Sequence, residues 1–259
     1  MYMAKAKTTN VQDCWEDALT TILPSVCKIT THNGTGTGFI LSVNGPEDSQ
    51  IYGLATAYHV ISTAYELDMP IRITHYSSNN FVVLKADPNS RIIYPIPNVD
   101  LAFILFNKSS IGIDINPAKM MDPGSVTASG KEIGWAGFPS VAPALACFFH
   151  GYISSSYQYG NLVDGVVIHG VSGGPAFYLD KKQPKICGVI TQYLPNYATG
   201  QSLPGLGFIS SVEPFQQTIS GLKDLDDARR AAEKQQQENA NTPTPSAPPS
   251  ETETKMNLR

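Results

Sequence analysis

The sequence predicts an all-β protein built as two barrels, and three observations carry that prediction. The first is composition: the 259 residues include 21 Gly, 19 Pro and 12 Tyr, and only 15% are charged, against roughly 25% in an average soluble protein. About a third of those charges lie beyond Gly221, so the body of the chain is less charged still. The second is spacing. Short segments rich in Val, Ile, Thr and Tyr recur between clusters such as Asn44-Gly45-Pro46-Glu47-Asp48 and Asp87-Pro88-Asn89, the pattern of strands joined by tight turns. The third is length, which accommodates two barrels of about a hundred residues each and a substantial core.

The elements follow in order. Asn10 can cap a helix, with Asp13 at the third helical position. Val11, Cys14, Trp15, Ala18, Leu19 and Ile22 then recur at helical spacing as one apolar face, and Pro24 ends the run. This helix is expected to dock on the first barrel, with binding of a protein partner as the alternative. Seven strand-like segments come next, at 26–31, 37–43, 51–57, 71–76, 81–86, 91–94 and 101–106. Residues 107–123 hold no long apolar run and read as the inter-barrel connection. Six more segments lie at 131–137, 145–154, 164–169, 175–179, 186–192 and 206–211. Residues 224–238 have high helix propensity but almost no apolar face, and the Pro, Thr, Ser, Glu and Asn of the stretch from Asn239 predict disorder. The expected organisation is an N-terminal segment and helix (1–23), a first barrel (24–118), a second barrel with a closing helix (119–222), and a polar helical extension with a disordered tail (223–259).

The chemistry concentrates in three fragments. His169-Gly170-Val171-Ser172-Gly173-Gly174-Pro175 sets a serine between glycines, so its hydroxyl and nearby backbone N–H groups can face one space. Acyl hydrolysis needs that geometry, because the oxygen that becomes negative during attack must be caught by amide protons. A serine hydroxyl needs a base within reach, and the fragment Thr56-Ala57-Tyr58-His59 supplies an imidazole. Val99-Asp100-Leu101-Ala102 supplies a carboxylate able to fix the tautomer of that ring. The order His59, Asp100, Ser172 is that of the chymotrypsin-type triad and not of the subtilisin or α/β-hydrolase types. The alternative is a catalytically silent two-barrel pseudoprotease that binds a partner; the presence of all three residues argues against it.

These fragments resemble the active-site motifs of chymotrypsin-fold serine proteases, and further segments resemble the HtrA (Deg) branch. Gly34-Thr35-Gly36-Thr37-Gly38-Phe39-Ile40-Leu41 is similar to that family's glycine-rich first hairpin, and Pro24-Ser25-Val26 to the entry of its protease domain. Ile186-Cys187-Gly188-Val189-Ile190 is similar to the strand after the serine, and Gly205-Leu206-Gly207-Phe208-Ile209 to the strand near the domain end. The resemblance spans residues 22–215. It implies two six-stranded antiparallel β-barrels, a closing helix from Glu213 to about Leu222, and a serine endopeptidase acting through a covalent acyl-enzyme, with no cofactor and no metal. It also implies Gly170 and Ser172 as the oxyanion donors, with Gly173 and Gly174 structural. Val171 stands where trypsin-like zymogens carry an aspartate that pairs with a new N-terminus, so activation by N-terminal cleavage is not expected. Counting six residues back from Ser172 gives Val166, where trypsin has its pocket aspartate. The specificity pocket is therefore expected among Val166, His169, Thr191, Gln192 and Tyr193, and expected to favour an aliphatic side chain. The stretch after the second barrel is too short for a PDZ domain, a departure from most HtrA proteases.

Other features narrow the function. A net charge of −4 without a basic stripe gives no case for nucleic acid. No apolar run approaches the roughly eighteen residues of a membrane span, and no signal-peptide apolar region stands near the start. The four cysteines, Cys14, Cys27, Cys147 and Cys187, do not flank His59 or Ser172, so free thiols and a reducing, cytoplasmic setting are expected. Cys147-Phe148-Phe149-His150 has the spacing of half a zinc site but no second half, and it reads as packing. His32, His75 and His150 read as structural. The expected partners are a protein or peptide substrate, with the N-terminal helix or C-terminal tail as a possible surface for a further protein.

Overall fold

The computed structural model describes residues 11–42, 51–76, 80–107, 117–195, 199 and 202–240. The first helix, α1, runs from Val11 to Ile22 and passes through a 3-10 turn at Leu23–Ser25 into the first strand; Asn10, its expected cap, lies outside the described residues. Trp15, Ala18 and Ile22 are buried along one face. The Trp15 ring packs on Phe148 and Phe177, with centroids 5.4 and 5.8 Å away, and its Nε1 donates to Glu132 Oε1 at 3.4 Å. All three partners belong to the second barrel, so α1 docks there and not on the first barrel as expected. The seat exists because residue 134 is glycine: a Cβ on Gly134 would stand 2.5 Å from the Phe148 ring and 2.8 Å from that of Trp15.

Seven strands form the first sheet: β1 (Val26–Thr31), β2 (Gly34–Ser42), β3 (Ile51–Ala57), β4 (Ile71–His75), β5 (Phe81–Leu84), β6 (Ile92–Ile96) and β7 (Leu101–Asn107). They run antiparallel in the order β5-β4-β1-β2-β3-β7-β6, curling round a core that includes Ile29, Ile40, Leu54, Ile73 and Ile104. The resemblance implied six strands here. Beside the core lies α2 (Tyr58–Glu66), unassigned by the sequence pattern because its β-branched and aromatic residues have low helix propensity. Packing overrides propensity, with Ile61 and Ala64 fully buried. Arg91, also buried, donates to the carbonyls of Leu84 and Ala64 at 3.2 Å, which ties the end of α2 to β5.

The second sheet is a closed six-stranded barrel in the order β10-β13-β12-β11-β8-β9. Its strands are β8 (Glu132–Gly137), β9 (Cys147–Tyr157), β10 (Gly160–Asp164), β11 (Pro175–Asp180), β12 (Gln183–Pro195) and β13 (Ser202–Ser211). The strand expected at 164–169 thus lies at 160–164. Asn161, which reads as a turn residue, is held in the barrel because its amide donates to Thr127 Oγ1 at 3.0 Å and accepts from Ser156 Oγ at 3.1 Å. That frees residues 165–169 to leave the sheet and lead into the serine segment.

The chain divides into two compact units, one ending at Ile219 and one starting at Ser220. The last helix, α3, spans Glu213–Ala240, one element where two pieces were expected. Within the first unit its opening turns bury Phe215, 5.7 Å from Phe103 by ring centroid. Within the second unit it is polar, and Asp226 pairs with Arg229 and Arg230 at helical spacing. The expected disordered tail falls outside the described residues beyond position 240.

Cys27, Cys147 and Cys187 are free thiols; the side chain of Cys14 is not among those described. Burial pushes Cys27 and Cys187 up to about 12. A thiol reagent at pH 8 should therefore modify Cys147 in the folded protein, and Cys27 and Cys187 only after unfolding. The neutral thiols stabilise the fold fully below the ordinary value of 9.0, and that contribution is lost as pH rises from there toward 12. Urea midpoints should fall across that window, and fall less in a Cys27→Ala/Cys187→Ala variant. Trp15→Ala should lower stability by about 3 kcal/mol, measured by the same unfolding.

Candidate active site

The three sequence fragments converge where the two barrels meet. β3 ends at Ala57 and α2 begins at Tyr58, so His59 sits in the first turn of a helix whose own N-cap, Ala57, offers no side-chain oxygen. Such a turn leaves backbone N–H groups without partners. Asp100 supplies them from across the sheet. Its carbonyl accepts from Tyr58 N at 3.0 Å, its Oδ1 accepts from His59 N at 2.9 Å, and its Oδ2 lies 2.7 Å from His59 Nδ1. A carboxylate can only accept there, so a neutral ring carries its proton on Nδ1 and leaves Nε2 as the available base. Asp100 reaches this pose with φ 54° and ψ 44°, in the left-handed region that Asp tolerates better than most residues. The 3-10 turn at Pro97–Val99 sets that conformation, with Asp100 N donating to Pro97 O at 3.1 Å.

The serine segment is a tight turn between residue 168 and β11. Val171 N donates to Ile168 O at 3.2 Å, Gly174 N to Val171 O at 2.9 Å, and Gly173 N to Ile190 O at 2.7 Å. Gly170 and Gly173 have φ of 89° and 87°, which a residue with a Cβ rarely adopts. A Cβ on Gly173 would also collide with the Thr37 carbonyl and the Thr56 hydroxyl, and would stand 3.1 Å from Ala57 N. The turn is thus pressed against the end of β3, two residues before His59. Gly36 lies between Val60, which follows His59, and the Ser172 carbonyl: a Cβ there would be 2.6 Å from the first and 3.2 Å from the second.

Two peptide orientations set where the amides of this turn point. Because peptides are planar and trans, a carbonyl and the following N–H point in opposite directions. The His169 carbonyl accepts from Ser140 N at 2.8 Å and the Val171 carbonyl from Gly174 N at 2.9 Å. The Gly170 and Ser172 N–H groups therefore point the other way, and neither donates to a backbone acceptor among the described residues. Amide donors left open in this way beside a serine can stabilise an oxyanion. Ser172 is half-buried, and among the described residues no hydrogen bond joins its Oγ to His59; such bonds are often loose until substrate is present.

The turn is braced by Thr37, which sequence reasoning missed. Its N–H donates to Ser172 O at 2.8 Å and its hydroxyl donates to Gly170 O at 2.7 Å. The same hydroxyl accepts from Phe138 N at 2.9 Å, and its carbonyl accepts from Thr56 Oγ1 at 2.7 Å. The available signal was a threonine on the alternating strand positions of the glycine-rich segment.

The expected pocket residues scatter more widely. Val166 is half exposed, and its carbonyl accepts from the buried Trp135 Nε1 at 3.1 Å. The neighbouring Val167, not singled out by the sequence, covers Gly207. The rings of His169 and Tyr193 meet edge-on, 5.3 Å apart. Thr191 is buried, its hydroxyl 3.2 Å from Ser210 Oγ, and Ser210 in turn donates to Val99 O at 2.8 Å, fastening β12 and β13 to the Asp100 turn. Gln192 lines a cavity of about 420 Å³ together with Asn98, Asp100, Tyr159 and Leu194. Among the described residues no three His, Cys, Asp or Glu side chains gather as a metal site would require.

This architecture is the chymotrypsin-like two-barrel fold. A crystal structure of Deg5 is similar to the chain, with a TM-score of 0.58 and 18% identity over 82% of this chain and 95% of that one. No protein-family model and no curated protein matches the sequence. No helix of the described residues is long and apolar enough to cross a membrane.

Thr37→Val keeps the shape but leaves the Phe138 N–H and Gly170 carbonyl short of partners. It should destabilise the protein by about 1–3 kcal/mol in urea unfolding, while Thr37→Ser stays close to the parent.

Proposed function

We propose that the chain is a serine endopeptidase, HtrA-like in its protease core, that works in a reducing, cytoplasmic setting. The observation that carries the reading is the two-oxygen grip of Asp100 on His59, 2.7 Å to the ring and 2.9 Å to the backbone. That grip leaves Nε2 free to act on Ser172. In this reading Ser172 Oγ attacks the carbonyl carbon of the substrate as His59 Nε2 takes its proton. Asp100 stabilises the imidazolium that results. The N–H groups of Gly170 and Ser172 hold the oxyanion. Collapse expels the amine, which leaves with the proton from His59, and water then releases the acyl group by the same path in reverse. The free thiols at Cys27, Cys147 and Cys187 support the reducing setting.

In this reading the residue before the cut should be aliphatic, because the expected pocket residues Val166 and Tyr193 bring no carboxylate. Burying a lysine or arginine charge there without a partner costs several kcal/mol, so cleavage after basic residues should be weaker by orders of magnitude. A peptide-library profile dominated by Lys or Arg would contradict this, and one dominated by Glu or Gln would assign the pocket to His169.

A fluorophosphonate probe tests the function itself. The wild-type protein should be labelled at Ser172 and Ser172→Ala should not, with unchanged thermal unfolding. Asp100→Asn should lower kcat about 10⁴-fold, as loss of the tautomer-fixing carboxylate does in such triads. A folded wild-type protein that neither labels nor cleaves peptides would instead be a two-barrel binding module.

A further inference from the structure

A second cavity, of about 560 Å³, opens beside the serine turn and is lined by Lys28, Thr30, Thr35, Arg72, Thr74 and Phe138 among others. Its chemistry follows from strand pairing. Residues directly opposite in an antiparallel pair share one face of the sheet. Lys28 faces Thr37 on β2 and Thr74 on β4, while Thr30 faces Thr35 and Arg72. The outer face of β1, β2 and β4 therefore carries two cations and four threonines, while Cys27, Ile29 and Ile73 point into the core. The protein is acidic overall, with a net charge of −4, yet no carboxylate lines this cavity.

No described carboxylate pairs with either cation, Lys28 or Arg72. Both are nevertheless held in place. Lys28 Nζ donates to the Pro143 carbonyl at 2.9 Å, which uses one of its three protons. The Arg72 guanidinium lies over the Phe81 ring, 3.8 Å from its centroid. The stacked face leaves the edge N–H groups of the guanidinium open.

The same face runs directly into the catalytic turn. Thr37, which holds Ser172 and Gly170, and Thr35, which lines the cavity, are successive outward positions of β2, about 7 Å apart at the rise of an extended strand. Phe138, bonded to Thr37, lines the cavity as well. This cavity shares no lining residue with the one that contains Asp100, Gln192 and Leu194. One cavity thus reaches the triad through Asp100 and the other through Phe138 and Thr35 beside the serine turn. We propose that the first takes the acyl side of the substrate and the second its leaving side, where it binds an acidic side chain, Asp or Glu, at the second or third residue after the cut. That spacing matches about 7 Å of extended peptide. The proposal rests on the serine endopeptidase reading and gives it a substrate class: sites followed closely by carboxylates.

Exposed charge pairs are weak one at a time, so the two cations together should give roughly a five- to tenfold preference in kcat/KM, carried by KM and shrinking as salt is raised. The test digests a proteome-derived peptide library with wild-type protein and with Lys28→Glu/Arg72→Glu, reading the cut sites by mass spectrometry. Wild type should enrich Asp and Glu two or three positions after the cut, and the variant should enrich Lys and Arg there. A Lys28→Gln/Arg72→Gln variant should flatten the preference, with thermal unfolding reporting that each variant is folded. A wild-type profile indifferent at those positions, or one unchanged by charge reversal, overturns the proposal. Fluorophosphonate labelling of wild type separates the two possible failures, since the probe has no peptide leaving group. Labelling with an indifferent profile sinks the acidic subsite alone, whereas no labelling sinks the endopeptidase reading and the subsite with it.

Discussion

Thr37 is fully buried, and its amide, hydroxyl and carbonyl all meet groups that shape the serine turn. It belongs to the first barrel, while Gly170, Ser172 and Phe138 belong to the second. One residue thus sets the register between the sheet that carries His59 and the turn that carries the serine. Buried polar groups left without partners cost about 1–3 kcal/mol each, so this register is strongly favoured over a slipped one. Gly173 is the matching half of the constraint. Only a residue without Cβ allows the turn to close onto the Thr37 carbonyl, and the same closeness brings Ser172 toward the first turn of α2.

Asp100 solves a second problem with the same economy of atoms. The α2 N-terminus needs acceptors, and the His59 ring needs a fixed tautomer; one carboxylate and one carbonyl satisfy both. Because Oδ1 is committed to the backbone of His59, Oδ2 is aimed at its ring. Orientation of the base therefore follows from helix capping. A left-handed backbone at Asp100 is the local strain that this arrangement tolerates. The Ser210–Val99 bond secures the turn from the second barrel, so the carboxylate is held from both sides of the cleft.

Much of this was legible in the sequence, for identifiable reasons. Strands such as Ile51–Ala57 and Val26–Thr31 stood out because alternation and bounding turns report directly on a pleat. His59 and Asp100 were legible as short motifs, and the structure joins them. The helix α2 was not, since its residues favour strands and only burial of Ile61 and Ala64 makes them helical. The seat of α1 was hidden because it depends on a missing Cβ at Gly134, far away in sequence. Strand β10 was displaced because a buried hydrogen bond, not hydropathy, holds Asn161. The face shared by Lys28 and Arg72 is invisible until the pairing of β1 with β4 is known, because the two residues lie far apart along the chain.

Val171 shows how the parts combine. In a turn organised by an ion pair at this position, the direction of the amides would wait on a buried charge finding its partner. Here residue 171 is a fully buried valine, whose side chain lies against Gly137; a Cβ on that glycine would stand 3.0 Å from it. Polar restraint comes instead from the carbonyls on either side. Gly170 O is held by Thr37, His169 O by Ser140, and Val171 O by Gly174. With three successive carbonyls bound, the peptide planes between them are fixed, and the Gly170 and Ser172 amides are pointed away from those partners as a consequence of planarity. The donor geometry is thus built from neutral hydrogen bonds present in the folded chain itself. It needs no charge at position 171.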